Sequence, residues 1–158
     1  MVLAKTPTTL ALGGTWSERN EILFSRFGAG ILRVSGGGGE PQVVVASRDN
    51  ERYGWPVFLP GGRQFLYLST VPAKGLSELR WRDLETKSER AVREVRYKAA
   101  YAAGQLLFRL DGPLVAQPFD PSTGQLSGNL VQVAPEIWTN GVQGRMAFTL
   151  STSGVLAY

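Results

Sequence analysis

Asp120-Pro121-Ser122-Thr123-Gly124 begins like a calcium loop, with one carboxylate and two hydroxyls at close spacing. Calcium coordination asks for alternating carboxylates and a closing glutamate, and this stretch supplies neither, so it reads as a turn whose aspartate caps its own backbone. Gly28-Ala29-Gly30 and the run Gly36 to Gly39 could be drawn as phosphate cradles. Neither opens a helix or places a lysine, and both read as inter-strand turns. Hydrolysis would need a nucleophile with a base, or two carboxylates in one pocket. The chain has no histidine and no cysteine, which removes the usual general base, thiolate metal ligands, disulfides and every Ser-His or Cys-His arrangement. The remaining carboxylates sit mostly in turns beside basic residues and do not converge. No catalytic residue, cofactor or metal site is expected.

Binding is the remaining chemistry. Arg52, Tyr53, Trp138 and Asn140 fall in connections between the repeats described below, and such connections line one face of a repeat fold, where ligands bind. These four are the candidate binding residues, for a protein or small-molecule ligand.

The net charge is +4, from 17 Lys+Arg against 13 Asp+Glu. Much of it lies between Arg80 and Lys98, where seven basic and four acidic residues alternate. A purely basic strip would suit phosphates, but interspersed signs read as a solvated face, and no nucleic-acid partner is expected. No apolar run reaches the roughly 18 residues of a membrane span, and the N-terminus lacks the pattern of a secretory signal. The sequence therefore carries no address of its own.

The elements that must position any site are written as a repeat. Glu21-Ile22-Leu23-Phe24, Phe65-Leu66-Tyr67-Leu68, Gln105-Leu106-Leu107-Phe108 and Val155-Leu156-Ala157-Tyr158 place an aromatic at spacings of 43, 41 and 50 residues. Each run is preceded by a short segment with its own aromatic (Trp16, Phe58, Tyr101, Phe148) and by turn residues such as Pro60-Gly61-Gly62. After each complete hairpin come a third and a fourth apolar run. Four short antiparallel strands at this period predict the blades of a β-propeller.

The fold class predicted is all-β, a partial β-propeller of about three whole four-stranded blades. The blades span 14–46, 55–95 and 99–134, with a stub strand at 2–5 and a first hairpin at 144–158. With 19 glycines and 9 prolines the composition suits many turns, and 158 residues suffice for a real core, hiding roughly 70% of the extended surface. One local pattern competes. Trp81, Leu84, Ala91, Val92 and Val95 fall near helical spacing, but the repeat assigns them to strands. The repeating aromatics, Trp16 and Tyr158 included, are expected to pack blade on blade.

The stretches "GGTWSERNEILF", "RVSGGGGEPQ", "WPVFLPGGRQFLYL", "LLFRLDGPLVAQPFDPSTGQLSG" and "STSGVLAY" resemble the TolB-like, WD-repeat-like propellers of bacteria. The nearest likeness is to the C-terminal propeller region of receptor-type serine/threonine protein kinases. That resemblance implies a non-catalytic interaction or sensor module, extracytoplasmic in a kinase of that type and carried beyond a membrane helix. The chain has no glycine-rich phosphate loop with its strand lysine, no His-Arg-Asp loop and no Asp-Phe-Gly, so kinase activity does not carry over. The propeller of a prolyl-oligopeptidase-type hydrolase and a TolB-type periplasmic scaffold are the alternatives. The chain is expected to be a fragment of a longer propeller, and its end blades are expected to self-associate through uncovered apolar faces.

Overall fold

The computed structural model describes residues 11–48, 50–140, 144–151 and 153–158; the expected stub strand at 2–5 lies outside them. The first blade is built from β1 (Gly14–Trp16), β2 (Glu21–Arg26), β3 (Gly30–Ser35) and β4 (Gln42–Ala46). The second comprises β5 (Arg52–Phe58), β6 (Gln64–Val71), β7 (Leu76–Asp83) and β8 (Glu89–Glu94). The third has β9 (Ala100–Ala102), β10 (Gln105–Arg109) and β11 (Leu114–Asp120), then β12 (Gln125–Leu126) and β13 (Val131–Ala134). Each of the first two sheets is ordered as its strands occur in sequence, and every pairing is antiparallel. The molecule is a partial β-propeller, as its strand pattern predicts.

The helical spacing between residues 80 and 95 does not form a helix. β7 and β8 pair along it, with Trp81 opposite Arg90 and Arg82 opposite Glu89. Strand alternation explains why both patterns fit: Leu79 and Trp81 point to one face of β7, Arg80 and Arg82 to the other.

The second and third sheets are covered on both faces because each is sandwiched between neighbours. Phe65 and Tyr67 of β6 join Leu23, Ile31 and Val45 between the first two blades. Leu66 and Leu68 of the same strand join Leu79, Trp81, Leu106 and Phe108 between the second and third. A last layer packs Leu107, Leu114 and Ala134 on Ile137 and Met146. Alternating in-and-out patterning is therefore replaced in β6 by a continuous apolar run, as in any strand covered on both sides.

Turns also lock the blades together at the repeat distance. The Gly61 amide donates to Glu18 Oε1 at 2.7 Å and the Phe58 amide to Thr15 Oγ1 at 3.3 Å, each pair 43 residues apart. The Trp81 indole donates to the Pro121 carbonyl at 2.9 Å. Gly124, at φ +71°, lies under that indole; a Cβ there would come within 2.5 Å of Trp81 Cγ. So the Asp120 turn is a docking element of the third blade on the second.

The C-terminal segment departs from the expected single hairpin. β14 (Thr139–Asn140) pairs with β15 (Arg145–Met146), and β16 (Thr149–Leu150) pairs with β17 (Leu156–Ala157). Residues 144–150 are thus divided between two short hairpins. In the third blade the outer position is also shared, with β12 pairing to the end of β11 and β13 to its start.

Candidate functional site

The turns joining the first two strands of each blade meet on one face. There a groove of about 480 Å³ is lined by Trp16, Phe58, Pro60 and Tyr101 together with Ser17, Glu18 and Ala103. Trp16, Phe58 and Tyr101 occupy one position of the repeat, each paired with the second residue of the following strand: Ile22, Phe65 and Leu106. Phe58 and Tyr101 are half-buried, holding the inter-blade cores with one side of the ring. Trp16 is different: it is 58% exposed, not packed between blades as its place in the repeat predicts. Its indole N–H donates to Asn20 Oδ1 at 3.2 Å, which lays the ring over its own turn and leaves its surface to solvent. Tyr158, also expected between blades, is likewise exposed.

The opposite face carries the connections between blades. Arg52 lines a groove there with Phe27, Arg48 and Pro72, and its guanidinium carbon lies 5.3 Å from the Phe27 ring centroid. A second such contact lies at the connection between the next two blades, where the Arg109 guanidinium carbon is 5.2 Å from the Tyr97 ring centroid. Neither Arg52 nor Tyr53 lies in a connection, because β5 begins at Arg52. Tyr53 is buried, edge-on to Tyr67 with ring centroids 5.4 Å apart, and its hydroxyl donates to Glu51 Oε2 at 2.7 Å. Burial is the first reason, and the Glu51 hydrogen bond the second, that its phenol is pushed up to about 12. Tyr53 also lines a small recess with Leu12, Arg26 and Phe27.

Trp138 is 67% exposed, and Asn140 sits half-buried in β14 opposite Arg145. The grooves that Arg52 lines include neither of them. The groove aromatics were visible in the sequence only as repeat positions, and burial, which separates Trp16 from its counterparts, has no local signature.

The most strongly perturbed acid and base groups lie inside the molecule. Glu89 is surrounded by Arg82 at 2.7 Å, Arg80 at 3.0 Å and Arg48 at 3.8 Å, and accepts a hydrogen bond from the buried Tyr67 hydroxyl. Burial pushes its carboxyl up, but the Tyr67 and Arg82 hydrogen bonds and the charges of Arg80 and Arg82 outweigh that and hold it below 4.5. Part of the stretch expected to be a solvated face turns its charges into a blade interface, where Arg80 and Glu89 keep only 22% and 12% of their side-chain surface, while Glu85, Lys87, Arg90, Glu94 and Arg96 are exposed as expected. Arg80 Nε is buried with no acceptor. Through Arg48 this cluster ties the connection after the first blade to the second blade.

The other motifs are consumed by local structure. Asp120 accepts from the Ser122 amide at 2.8 Å, the Ser122 hydroxyl at 2.7 Å and the Thr123 hydroxyl at 2.8 Å, leaving a capped turn. The amides of Gly36, Gly37 and Gly38 go to the Asn20 carbonyl and to Ser35. Among the described residues no group of three acidic side chains is placed to hold a metal, and no helix is long and apolar enough to cross a membrane.

No family model matches the chain, and no curated protein matches it in sequence. Solved structures do match its fold. The propeller domain of the trilobed protease from Pyrococcus furiosus, which has an open velcro topology, aligns with a TM-score of 0.60 at 15% identity, covering 79% of this chain and 43% of that one. A candidate TolB from Agrobacterium tumefaciens gives 0.56 at 14% identity over 82% of this chain and 50% of that one. An oligogalacturonate lyase in complex with manganese gives 0.57 at 14%, over 80% and 36%. The fold is that of a β-propeller, as in these structures. The chain spans between about a third and a half of the length of these structures.

Proposed function

We propose that this chain is a non-catalytic interaction module, a propeller segment that binds an extended segment of a partner protein in the Trp16–Phe58–Tyr101 groove. The observation that carries this reading is the exposed Trp16 ring beside two half-buried aromatics at equivalent repeat positions. Large rings with one solvent-facing side are the usual anchors of protein interfaces. The groove is open and spans three blades, a shape suited to a chain laid across it rather than to an enclosed small molecule.

Panning a random peptide library on the intact chain tests this. The selected peptides bind the wild type and lose about tenfold or more in affinity with Trp16→Ala, as for a truncated hot spot. The melting temperature of that variant stays near wild type, since the ring is largely exposed. No enrichment, or peptides indifferent to Trp16→Ala, would overturn the assignment.

The parent is the finer part of the proposal. The likeness of "WPVFLPGGRQFLYL" and "LVAQPFDPSTGQL" to receptor-kinase propellers supports a sensor role outside the cytoplasm. The propeller of a prolyl-oligopeptidase-type enzyme and a TolB-type scaffold are the competing parents, and the structures similar in fold include a protease propeller and a TolB. Flanking genomic sequence separates them: a membrane helix and kinase domain support the first, and a Gly-x-Ser-x-Gly elbow the second. A secretory signal without a kinase supports the third.

Self-association belongs to the same proposal. Leu130, Val131 and Val133, on and beside the outer strand β13, are exposed, as is Val43 on the outer strand of the first blade. Light scattering at tens of micromolar is expected to show oligomers, and a monodisperse monomer contradicts this.

A further inference from the structure

Leu12, Trp55 and Lys98 stand 43 residues apart, Leu12 and Lys98 just ahead of the first strands of their blades and Trp55 within β5. The Trp55 amide donates to the Leu12 carbonyl at 2.6 Å, and the Lys98 amide to the Gly144 carbonyl at 2.8 Å. These bonds bring side chains from three consecutive units together. Lys98 Nζ lies 5.6 Å from the Trp55 ring centroid and 5.3 Å from that of Phe148. The Arg145 guanidinium carbon lies 6.0 Å from the same Trp55 ring.

Two cations thus share one indole, and among the described residues neither forms an ion pair with a carboxylate. Lys98 is half-buried; burial first, and the charge of Arg145 second, lower its ammonium below the ordinary 10.5. Cation–π contact compensates part of the lost hydration, but like charges set side by side still favour a counter-ion between them.

We propose that Trp55, Lys98, Arg145 and Phe148 form an anion site that takes a carboxylate carried on a ring. The two side-chain cations match the two oxygens of a planar acid, with Arg145 able to donate in parallel. The backbone amides of Trp55 and Lys98 are already bonded, so the amide cluster that holds a phosphate is not offered here. The aromatic walls supply a stacking surface for the ring that bears the acid. This site shares no residue with the groove, and its test is independent of it.

Calorimetry on the intact chain with benzoate and with glucuronate separates an aromatic acid from an acidic sugar as the source of the carboxylate. At least one binds, glucose and inorganic phosphate bind more weakly, and Arg145→Gln and Lys98→Met each weaken binding by about tenfold or more, the effect of losing one charge-assisted hydrogen bond. Arg145 is exposed, so its replacement leaves the core intact, and the melt of each variant checks this. Failure of both acids to bind overturns the proposal, as does phosphate binding equally well or an Arg145→Gln variant that binds like wild type.

Discussion

Gly30→Ala is expected to unfold the first blade, lowering stability by about 3 kcal/mol or more. Gly30 opens β3 at φ +108°, and a Cβ built on it would overlap the Val45 carbonyl oxygen and come within 2.8 Å of the Ser47 amide. Those atoms are backbone of and beside β4, paired to β3 through Gly30 and Ala46. No side chain can swing aside to make room. Either the β3–β4 ladder opens or residue 30 leaves a conformation that L residues rarely adopt. Gly28→Ala is the control: its φ of +78° carries the conformational strain, but nothing lies within 4 Å of the added methyl. Its expected cost is about 1–2 kcal/mol. Denaturant melts of the two variants separate contact from conformation. Equal losses would mean that the close approach of β4 to Gly30 is not present in solution.

Glu89→Ala is the second large effect. It leaves Arg80 and Arg82 facing each other and the Tyr67 hydroxyl without its acceptor inside a blade interface. Removing one member of a buried pair costs about 3–5 kcal/mol, and the 12% of the Glu89 side chain still exposed places the loss at the lower end.

The same groups set the pH dependence. Folding holds Glu89 below its ordinary 4.5. At Asp83 burial pushes upward, but the Thr86 amide, Arg63, the Glu85 amide and Gln64 outweigh it and hold the carboxyl at about 2 against 3.8. Their stabilisation is therefore complete above about pH 5 and is lost as pH falls through the folded values. At the alkaline end burial raises Tyr53 to about 12 and Tyr67 further, from an ordinary 10.0. The folded state prefers the neutral phenols, so that stabilisation is present below pH 10 and is lost as pH rises toward 12. With no histidine in the chain, stability is expected to be flat from about pH 5 to 9. Glu89→Ala should shrink the acid limb and leave the limb due to Asp83. An acid limb unchanged in that variant would show that Glu89 is not paired in solution.

The blades were legible in the sequence because turns and apolar runs recur at a distance set by one structural unit, and that regularity survives at Phe24, Tyr67 and Phe108. What was not legible is which side of a strand meets which neighbour. Between Arg80 and Lys98 the alternation of charge and apolarity reads as a wet face, yet Arg80 and Arg82 lie against Glu89 under the first blade. A charge can be buried when its partner arrives from an adjacent strand, and β8 supplies that partner. Tyr53 was misplaced for a related reason: β5 starts three residues ahead of the expected 55, which carries Arg52 and Tyr53 from a connection into a strand. Trp16 shows the reverse. It shares a repeat position with rings that pack, and only the course of its own turn, with Asn20 holding the indole, leaves it in solvent. The pairing of Lys98 with Arg145 depends on chain that returns after a complete blade, which no local pattern encodes.

The central claim is that the groove of first-hairpin turns is the binding surface. Hydrogen exchange of the intact chain with and without a library-selected peptide tests it most directly. The account predicts slowed exchange at the turns around 17–20, 60–62 and 102–104, where Trp16, Phe58 and Tyr101 line the groove. Protection confined to the other face, at Phe27 and residues 50–52, would contradict it and move the site to the inter-blade connections.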